Sequence, residues 1–213
     1  MSERSETPDP KDSDRLSNLS FDWPIPRAVR EFGKALDPRI LEPGDLLLFA
    51  NKRPSWTSAR IVNQQGKQFA SDHACWHHAA VSGGGFEICE ATALGVKAHE
   101  YWGYMNGGFE IRLRRLRNAT AEQRARVAYY AATNVRVSYG FLNLPGLMKT
   151  LSNGNPWGRK LFAASGVICS QLYFEACMRV GFLLANIPPE QVCPAHLSIS
   201  AQMTDVTLAW VKV

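Results

Sequence analysis

No apolar stretch in this 213-residue sequence is long enough to cross a membrane. A membrane-spanning helix needs about 20 consecutive apolar residues, whereas the most apolar segments, 45–50 and 182–185, are far shorter. Runs of this length are typical of a buried strand and of a helix end. The sequence therefore predicts no transmembrane segment.

The N-terminus, which begins MSERSE, also lacks the apolar core of a secretory signal. We therefore expect synthesis in the cytoplasm, with any export through a signal-independent secretion system. The sequence has five cysteines, an odd number that leaves one thiol unpaired in every disulfide scheme. In a reducing compartment all five are expected to be free, which makes thiolate chemistry available.

Large aliphatic side chains are scarce in residues 1–20, where Leu16 and Leu19 stand among Ser, Asp, Glu and Pro. Such a segment cannot bury enough apolar surface to offset the entropy lost on ordering. The sequence thus predicts a disordered arm over 1–20 and a single domain over 21–213, which no repeat or linker divides. The arm carries a net charge of −2 and the domain +7.

A positive domain favours anionic partners such as cell-wall polymer, although a basic surface also serves solubility. No helix-turn-helix, zinc-finger or aromatic nucleic-acid motif accompanies the main arginine cluster, so we expect no nucleic-acid partner. The cluster is either the binding face of a non-catalytic polyanion-binding module or, as we expect, a solvated outer face. It consists of Arg112, Arg114, Arg115, Arg117, Arg124 and Arg126.

The apolar patterns that are present switch between the helical and the strand period. Ser55 or Thr57 is expected to cap one helix, and Thr120 and Gln123 are expected to form a capping box at another. Helices are predicted over 24–36, 56–65, 120–136, 145–151 and 167–181, and strands over 45–50 and 109–114.

A glycine triplet at 83–85 joins two strand-like runs and predicts a β-hairpin. If the three glycines form the loop, Ser82 faces Phe86 and His78 faces Glu90. Directly opposed side chains lie about 4.5–5.5 Å apart at Cβ, so this register places an imidazole beside a carboxylate. A two-residue loop would shift the register by one and move Glu90 to the other face of the sheet.

Cys169 stands at the beginning of a predicted helix, behind the small residues Ser165 and Gly166. A helix N-terminus stabilises negative charge, so a thiol there tends toward thiolate, and the same free amides could bind an oxyanion. The alternative is a small buried apolar residue, the commonest fate of a free cysteine. Cys89 and Cys193 have no base near them in the sequence, and Cys177 lies eight residues further along the same predicted helix, so all three are interpreted as core or surface thiols.

Adjacent histidines offer two candidate bases, and on a strand they point to opposite faces. His78 is favoured because a catalytic base needs a third group to orient it, here the carboxylate predicted across the hairpin. A competing hypothesis is a metal site in which His73, Cys75 and His77 share one face of a strand with His78 beside them. Zinc sites usually gather their ligands from pairs set on a turn or a helix, so we predict no metal and no cofactor.

Six short motifs between about residue 40 and residue 180 occur in an order known from one family. They are Pro43–Leu46, His78–Val81, Glu90–Thr92, Gly95–Val96, Tyr139–Gly140 and Ile168–Leu172. This order resembles the circularly permuted branch of the NlpC-type papain-fold superfamily, which includes YiiX-like cell-wall amidases and lecithin–retinol acyltransferase relatives. The resemblance implies an α+β fold in which a small antiparallel sheet or half-barrel packs on the helix that carries the cysteine.

By this resemblance Cys169 is the nucleophile, His78 is its base and Glu90 orients His78, while Tyr139 and Ser170 contact the substrate. It implies a cysteine amidase or peptidase that acts on peptidoglycan stem peptides. Without a signal peptide, such an enzyme would suit a secreted antibacterial effector. Its partners would then be a secretion machinery or an immunity protein.

Two segments depart from the family core. The first comprises the arm and the predicted helix 24–36. The second is an insert over 143–162, which is apolar for a loop and contains Leu147 and Trp157. The insert could be a substrate lid, local core or a membrane-touching patch. The last of these favours an alternative function, a thioesterase or acyltransferase acting on lipid or acyl-protein.

Overall fold

The computed structural model describes residues 25–92, 95–135 and 168–213. Four of the sequence predictions lie outside these described residues: the arm 1–20, the helix 145–151, the insert 143–162 and the substrate contact at Tyr139. The described part of the chain is an α+β structure with one main antiparallel sheet.

The helices and strands follow one another in a mixed order. The helices are α1 (Arg27–Phe32), α2 (Trp56–Gln65), α3 (Ser71–Ala74), α4 (Ala121–Thr133), α5 (Cys169–Arg179) and α6 (Pro194–Ile199). The strands are β1 (Lys34–Leu36), β2 (Leu46–Asn51), β3 (His78–Gly84), β4 (Glu87–Thr92), β5 (Gly95–Glu100), β6 (Phe109–Leu116), β7 (Met203–Val206) and β8 (Trp210–Lys212). Short 3-10 helices lie at Pro38–Ile40, Tyr101–Tyr104 and Pro189–Gln191.

The main sheet has six strands in the order β5-β4-β3-β2-β6-β7, and every neighbouring pair is antiparallel. Apolar side chains cover both faces of its central strand β2. Leu46 and Leu48 pack with α4 and α5 on one face, and Leu47 and Phe49 pack on the other face with the β1–β8 ribbon and the Tyr101–Tyr104 turn. Burial on both faces explains why this strand is continuously apolar rather than alternating.

Several local predictions are confirmed. The strands β2 and β6 form where they were expected, and Ser55 caps α2 by accepting a hydrogen bond from the Ser58 amide. Thr120 and Gln123 form the predicted capping box of α4. In each case the signal is local, because a cap or an apolar period involves residues a few positions apart.

The predicted helix over 24–36 is wrong in its second half. The helix stops at Phe32, because Gly33 adopts a left-handed φ of 78° that ends it. Residues 34–36 instead form β1, which pairs with β8 so that Leu36 lies opposite Trp210. The apolar period continues into this strand, but the partner that decides its conformation lies about 170 residues away in the chain.

A glycine explains the first of the short motifs. Gly44 has a φ of 81°, and a Cβ built on it would lie 2.2 Å from the Arg124 carbonyl oxygen. Only glycine therefore allows α4 to approach the start of β2 so closely. The next residue, Asp45, is fully buried and accepts two hydrogen bonds of 2.7 Å from the Arg115 guanidinium.

The expectation of a solvated arginine face is wrong for most of the cluster. Arg114 is only 6% exposed and donates to four backbone carbonyls between 197 and 203. Arg112 pairs with Asp205 at 2.8 Å, and Arg115 is held by Asp45. These guanidinium groups fasten the C-terminal segment and the 42–45 turn to the sheet, since buried charges must be paired. Arg126, by contrast, is itself exposed and pairs with the exposed Glu122 through an i,i+4 contact.

Within 25–92, 95–135 and 168–213, no helix combines the length and the apolar character needed to cross a membrane.

Candidate active site

Cys169 is the first residue of α5 and is 7% exposed. The residue before it, Ile168, is extended (φ −91°, ψ 159°), and no side chain caps the helix. The first intrahelical bond runs from the Leu172 amide to the Ile168 carbonyl. The first-turn amides therefore have no partner within the helix, so they can stabilise negative charge beside the sulfur.

His78, at the start of β3, contacts both Cys169 and Glu90. Its Nε2 lies 2.5 Å from Glu90 Oε2, and the ring interacts with Cys169, with which it lines one cleft. With Nε2 bound to the carboxylate, Nδ1 is the ring nitrogen left to face the thiol. The structure thus brings Cys169, His78 and Glu90 together.

The hairpin that presents His78 and Glu90 has a different register from the one predicted. Ser82 pairs with Ile88 rather than with Phe86, and the loop is the two-residue segment 85–86. The prediction of a three-glycine loop is therefore wrong. The last two glycines, Gly84 and Gly85, adopt left-handed φ values that suit the turn.

A β-bulge explains why the carboxylate still lies on the predicted face. The two-residue loop alone would have placed Glu90 on the opposite face of the sheet. The loop at 85–86 moves the register by three positions from the predicted one, and Gly83, an extra residue between Ser82 and Gly84, moves it back by one. The total shift is two residues, so Glu90 remains on the same face as His78 but is its diagonal neighbour.

The Glu90 carboxylate is 5% exposed and accepts hydrogen bonds from three side chains. Besides His78, the His99 Nε2 lies 2.9 Å from Oε1, and the Tyr104 hydroxyl donates to Oε2 at 2.6 Å. Burial by itself would raise the pKa of Glu90. The bonds from His78, His99 and Tyr104 more than offset burial and hold this pKa well below its usual range. Glu90 is therefore ionised.

The electrostatics of His78 favour the imidazolium. Burial alone would lower the pKa of His78, but its interactions with Cys169 and Glu90 raise it to about 10. The ionised carboxylate stabilises the protonated form of the ring. The arrangement places an imidazolium between a cysteine and a carboxylate, an organisation that suits nucleophilic catalysis by cysteine.

This group opens into a cleft of about 350 Å³. Cys169 and His78 line it together with residues from α2 and with Tyr104 and Phe109. A neighbouring cavity of about 250 Å³ shares Asn51 and His77 with the cleft. The two spaces therefore adjoin beside the end of β2.

The structure gives His77 another role than the one in the metal hypothesis. Its Nε2 accepts a hydrogen bond of 2.9 Å from the Asn51 amide, and burial lowers the pKa of His77 to about 4. His73 and Cys75 lie in and just after α3 rather than on a strand, so the alternation behind the hypothesis does not exist. No group of three potential ligands suited to a metal occurs within the described parts of the chain.

Of the two predicted substrate contacts, one can be placed. Ser170 lines the cleft, but its hydroxyl is buried and donates to the Val192 carbonyl at 2.7 Å. This bond ties the start of α5 to the segment before α6. The side chain is thus already engaged, and the part of Ser170 that remains available to a substrate is its backbone amide.

The other thiols in the core differ from Cys169 in their surroundings. Cys89, Cys177 and Cys193 are all buried. The view that none has a base nearby is wrong for Cys193, whose Sγ lies 3.1 Å from Nδ1 of His196. Here burial raises the pKa of Cys193 to about 11 and lowers that of His196 to about 4. This pair is neutral, because no carboxylate among the residues that the structure describes stabilises a charge on the His196 ring.

Sequence reasoning missed His99 and Tyr104. Tyr104 belongs to a 3-10 turn with no motif of its own, and it stacks on Phe49 at 3.7 Å between ring centroids. His99 could have been found from the β4–β5 hairpin, in which it lies opposite Ile88, two residues from Glu90.

Comparison with protein-family models and with curated proteins finds no match to this chain, so its function has to be argued from the site.

Proposed function

We propose that this chain is a cysteine hydrolase of the permuted papain-like type that cleaves an amide bond. One observation carries the proposal: the buried Cys169, at a helix N-terminus, shares a cleft with a His78 that interacts with it and binds the ionised Glu90. Side chains in this relation supply a nucleophile, a proton carrier and an orienting group. The antiparallel sheet packed on α5 agrees with the fold that the motif order implies.

The reaction would begin with attack of the Cys169 thiolate on the carbonyl carbon of the amide. The carbonyl π electrons move to oxygen, and the first-turn amides of α5 are placed to stabilise that oxyanion. His78 then gives its proton to the leaving nitrogen as the C–N bond breaks, which leaves a thioester on Cys169. Glu90 keeps the imidazole oriented through both proton transfers.

Water would complete the cycle. Neutral His78 takes a proton from a water molecule, the resulting hydroxide adds to the thioester, and the C–S bond breaks to release a carboxylic acid. The thiolate and the imidazolium are thereby restored. Each proton that His78 gives up in the first half returns in the second, so the step needs no cofactor.

For the substrate we propose peptidoglycan stem peptides, as in the amidases that the motif order resembles, with the protein acting as an exported antibacterial effector. The groove formed by the two adjoining cavities suits an extended chain that continues past His77. The polyanion-binding alternative loses support, because most of the clustered arginines bind groups within the domain. The acyl-transfer alternative depends on the insert 143–162, outside the described residues.

The test is digestion of purified cell wall followed by mass spectrometry of the released fragments. We expect new amine termini with the wild-type protein and none with Cys169→Ser. The matched control is Cys177→Ser, a buried thiol on the same helix that lies far from its N-terminus. If wild-type and Cys169→Ser proteins release the same fragments, the proposal is wrong.

A further inference from the structure

The Glu90 carboxylate has a second imidazole partner that the proposed reaction does not use. His99 lies on β5, diagonal to Glu90, and its Nε2 is 2.9 Å from Glu90 Oε1. The His78 ring binds the other oxygen, Oε2. The His99 side chain is 37% exposed, whereas that of Glu90 is 5% exposed. The buried carboxylate thus bridges the imidazole beside the thiol and an imidazole that reaches solvent.

The hydrogen bonds of His99 indicate its protonation state. Its Nδ1 lies 2.8 Å from the Glu100 carbonyl oxygen, which can only accept, so Nδ1 carries a hydrogen. Its Nε2 faces an ionised carboxylate, which also only accepts. A ring with hydrogens on both nitrogens is an imidazolium. In agreement, the bond to Glu90 raises the pKa of His99 against the effect of its burial.

We propose that His99 is a positioning residue that acts through Glu90. As an imidazolium it binds Oε1, turns Oε2 toward His78, and adds a positive charge that helps to stabilise the thiolate beyond. The catalytic meaning of this contact depends on the proposed function. The charge state of His99 and its effect on thiol reactivity do not, since both can be measured without a substrate.

Lys97 provides a matched control on the same strand. It lies directly across from Glu90 in the register, yet it is exposed and forms no ion pair with that carboxylate among the described contacts. Replacing either residue by Gln removes a positive charge from β5. Only the His99 substitution also removes a bond to Glu90.

The first measurement is the ¹⁵N spectrum of the wild-type histidine rings at pH 7.5. An ordinary histidine, with a pKa of about 6.5, is mostly neutral there, whereas we expect two protonated nitrogens at His99. The second measurement is the rate of iodoacetamide alkylation of Cys169 at pH 7, mapped by mass spectrometry. A unit charge acting over several ångströms at intermediate dielectric changes such a rate by about three- to tenfold.

We therefore expect His99→Gln to slow alkylation of Cys169 by about three- to tenfold, His99→Arg to restore it, and Lys97→Gln to leave it unchanged. A neutral His99 at pH 7.5 would overturn the inference. So would equal rates in wild type and His99→Gln, or equal losses in the Gln and Arg variants, since shape rather than charge would then matter. If cell wall is not cleaved but these three results hold, the proposed substrate fails and the role of His99 stands.

Discussion

Replacing Glu90 by Gln preserves the size of the side chain but removes the charge that organises the site. In the wild type this carboxylate accepts bonds from His78 at 2.5 Å, from Tyr104 at 2.6 Å and from His99 at 2.9 Å. A Gln side chain has one oxygen acceptor and presents two N–H donors instead of the second oxygen. It therefore cannot accept from both imidazoles at once, and one donor will face another donor.

The size of the expected change in the pKa of His78 follows from its hydrogen bond to Glu90. A hydrogen bond to a charged group contributes about 1.5–3 kcal/mol, and about 1.4 kcal/mol corresponds to one pKa unit. We therefore expect the pKa of His78 in Glu90→Gln to fall by about one to two units from its value of about 10. The His78 ring should therefore lose its proton about one to two pH units lower in the variant than in the wild type.

The assay follows the His78 ring by NMR across pH while iodoacetamide alkylation of Cys169 is measured on the same samples. Glu87→Gln is the control, because it removes the same charge from an exposed position on the same strand. Both quantities should be unchanged there. An unaltered His78 titration in Glu90→Gln would refute the assignment of Glu90 as the orienting group, whatever happened to activity.

Three further predictions concern the hairpin, a glycine and the pH dependence of stability. Deleting Gly83 removes the extra residue of the bulge but leaves Gly84 paired with Glu87 and Ser82 with Ile88, so Glu90 should stay on the face of His78 and fast alkylation of the active thiol should persist, as it should in Gly83→Ala. In Gly44→Ala the new Cβ would lie 2.2 Å from a backbone carbonyl oxygen, so the free energy of unfolding in urea titrations should fall by about 2 kcal/mol or more. Gly85 has open space around it, so Gly85→Ala should lower the free energy of unfolding by less. Because the pKa of Glu90 is depressed in the folded state, its ionisation stabilises the fold above pH 4.5, the ordinary pKa of Glu, and this stability is lost as pH falls. Between pH 5 and pH 2 the urea midpoint should therefore fall less in Glu90→Gln than in the wild type. The raised pKa of His78 gives stability present below 6.5 and lost as pH rises toward 10, which the midpoints in that range should show.

Local features of this fold could be predicted from the sequence because their causes lie within a few residues. The caps at Ser55 and Thr120 and the apolar runs of β2 and β6 all formed as expected. The position of Cys169 at the start of a helix was predicted in the same way. Each of these depends on short-range sterics and hydrogen bonding, which a stretch of sequence contains in full.

The common face of His78 and Glu90 was predicted through a register that proved wrong. Side chains alternate between the two faces along a strand, so a register error of two residues leaves each side chain on the predicted face. The loop at 85–86 and the bulge at Gly83 together produce this offset, and neither follows from the three glycines alone.

The other features of the fold and of the site depend on long-range packing. Residues 34–36 became a strand because β8 pairs with them, and Arg114 became buried because the C-terminal segment offers it four carbonyls. No short-range pattern contains either partner. His99 and Tyr104 joined the site in the same way, through strands and turns brought beside Glu90 by the sheet.

The two cysteine–histidine pairs show most directly which properties the sequence determines and which the tertiary structure determines. The sequence by itself determined that both residue types are present and that one thiol begins a helix. Only the tertiary structure places an ionised carboxylate behind His78 and, within the described residues, none behind His196. The pKa of a buried imidazole depends on the charges around it. For this reason the pKa of His78 is raised to about 10, whereas that of His196 is lowered to about 4.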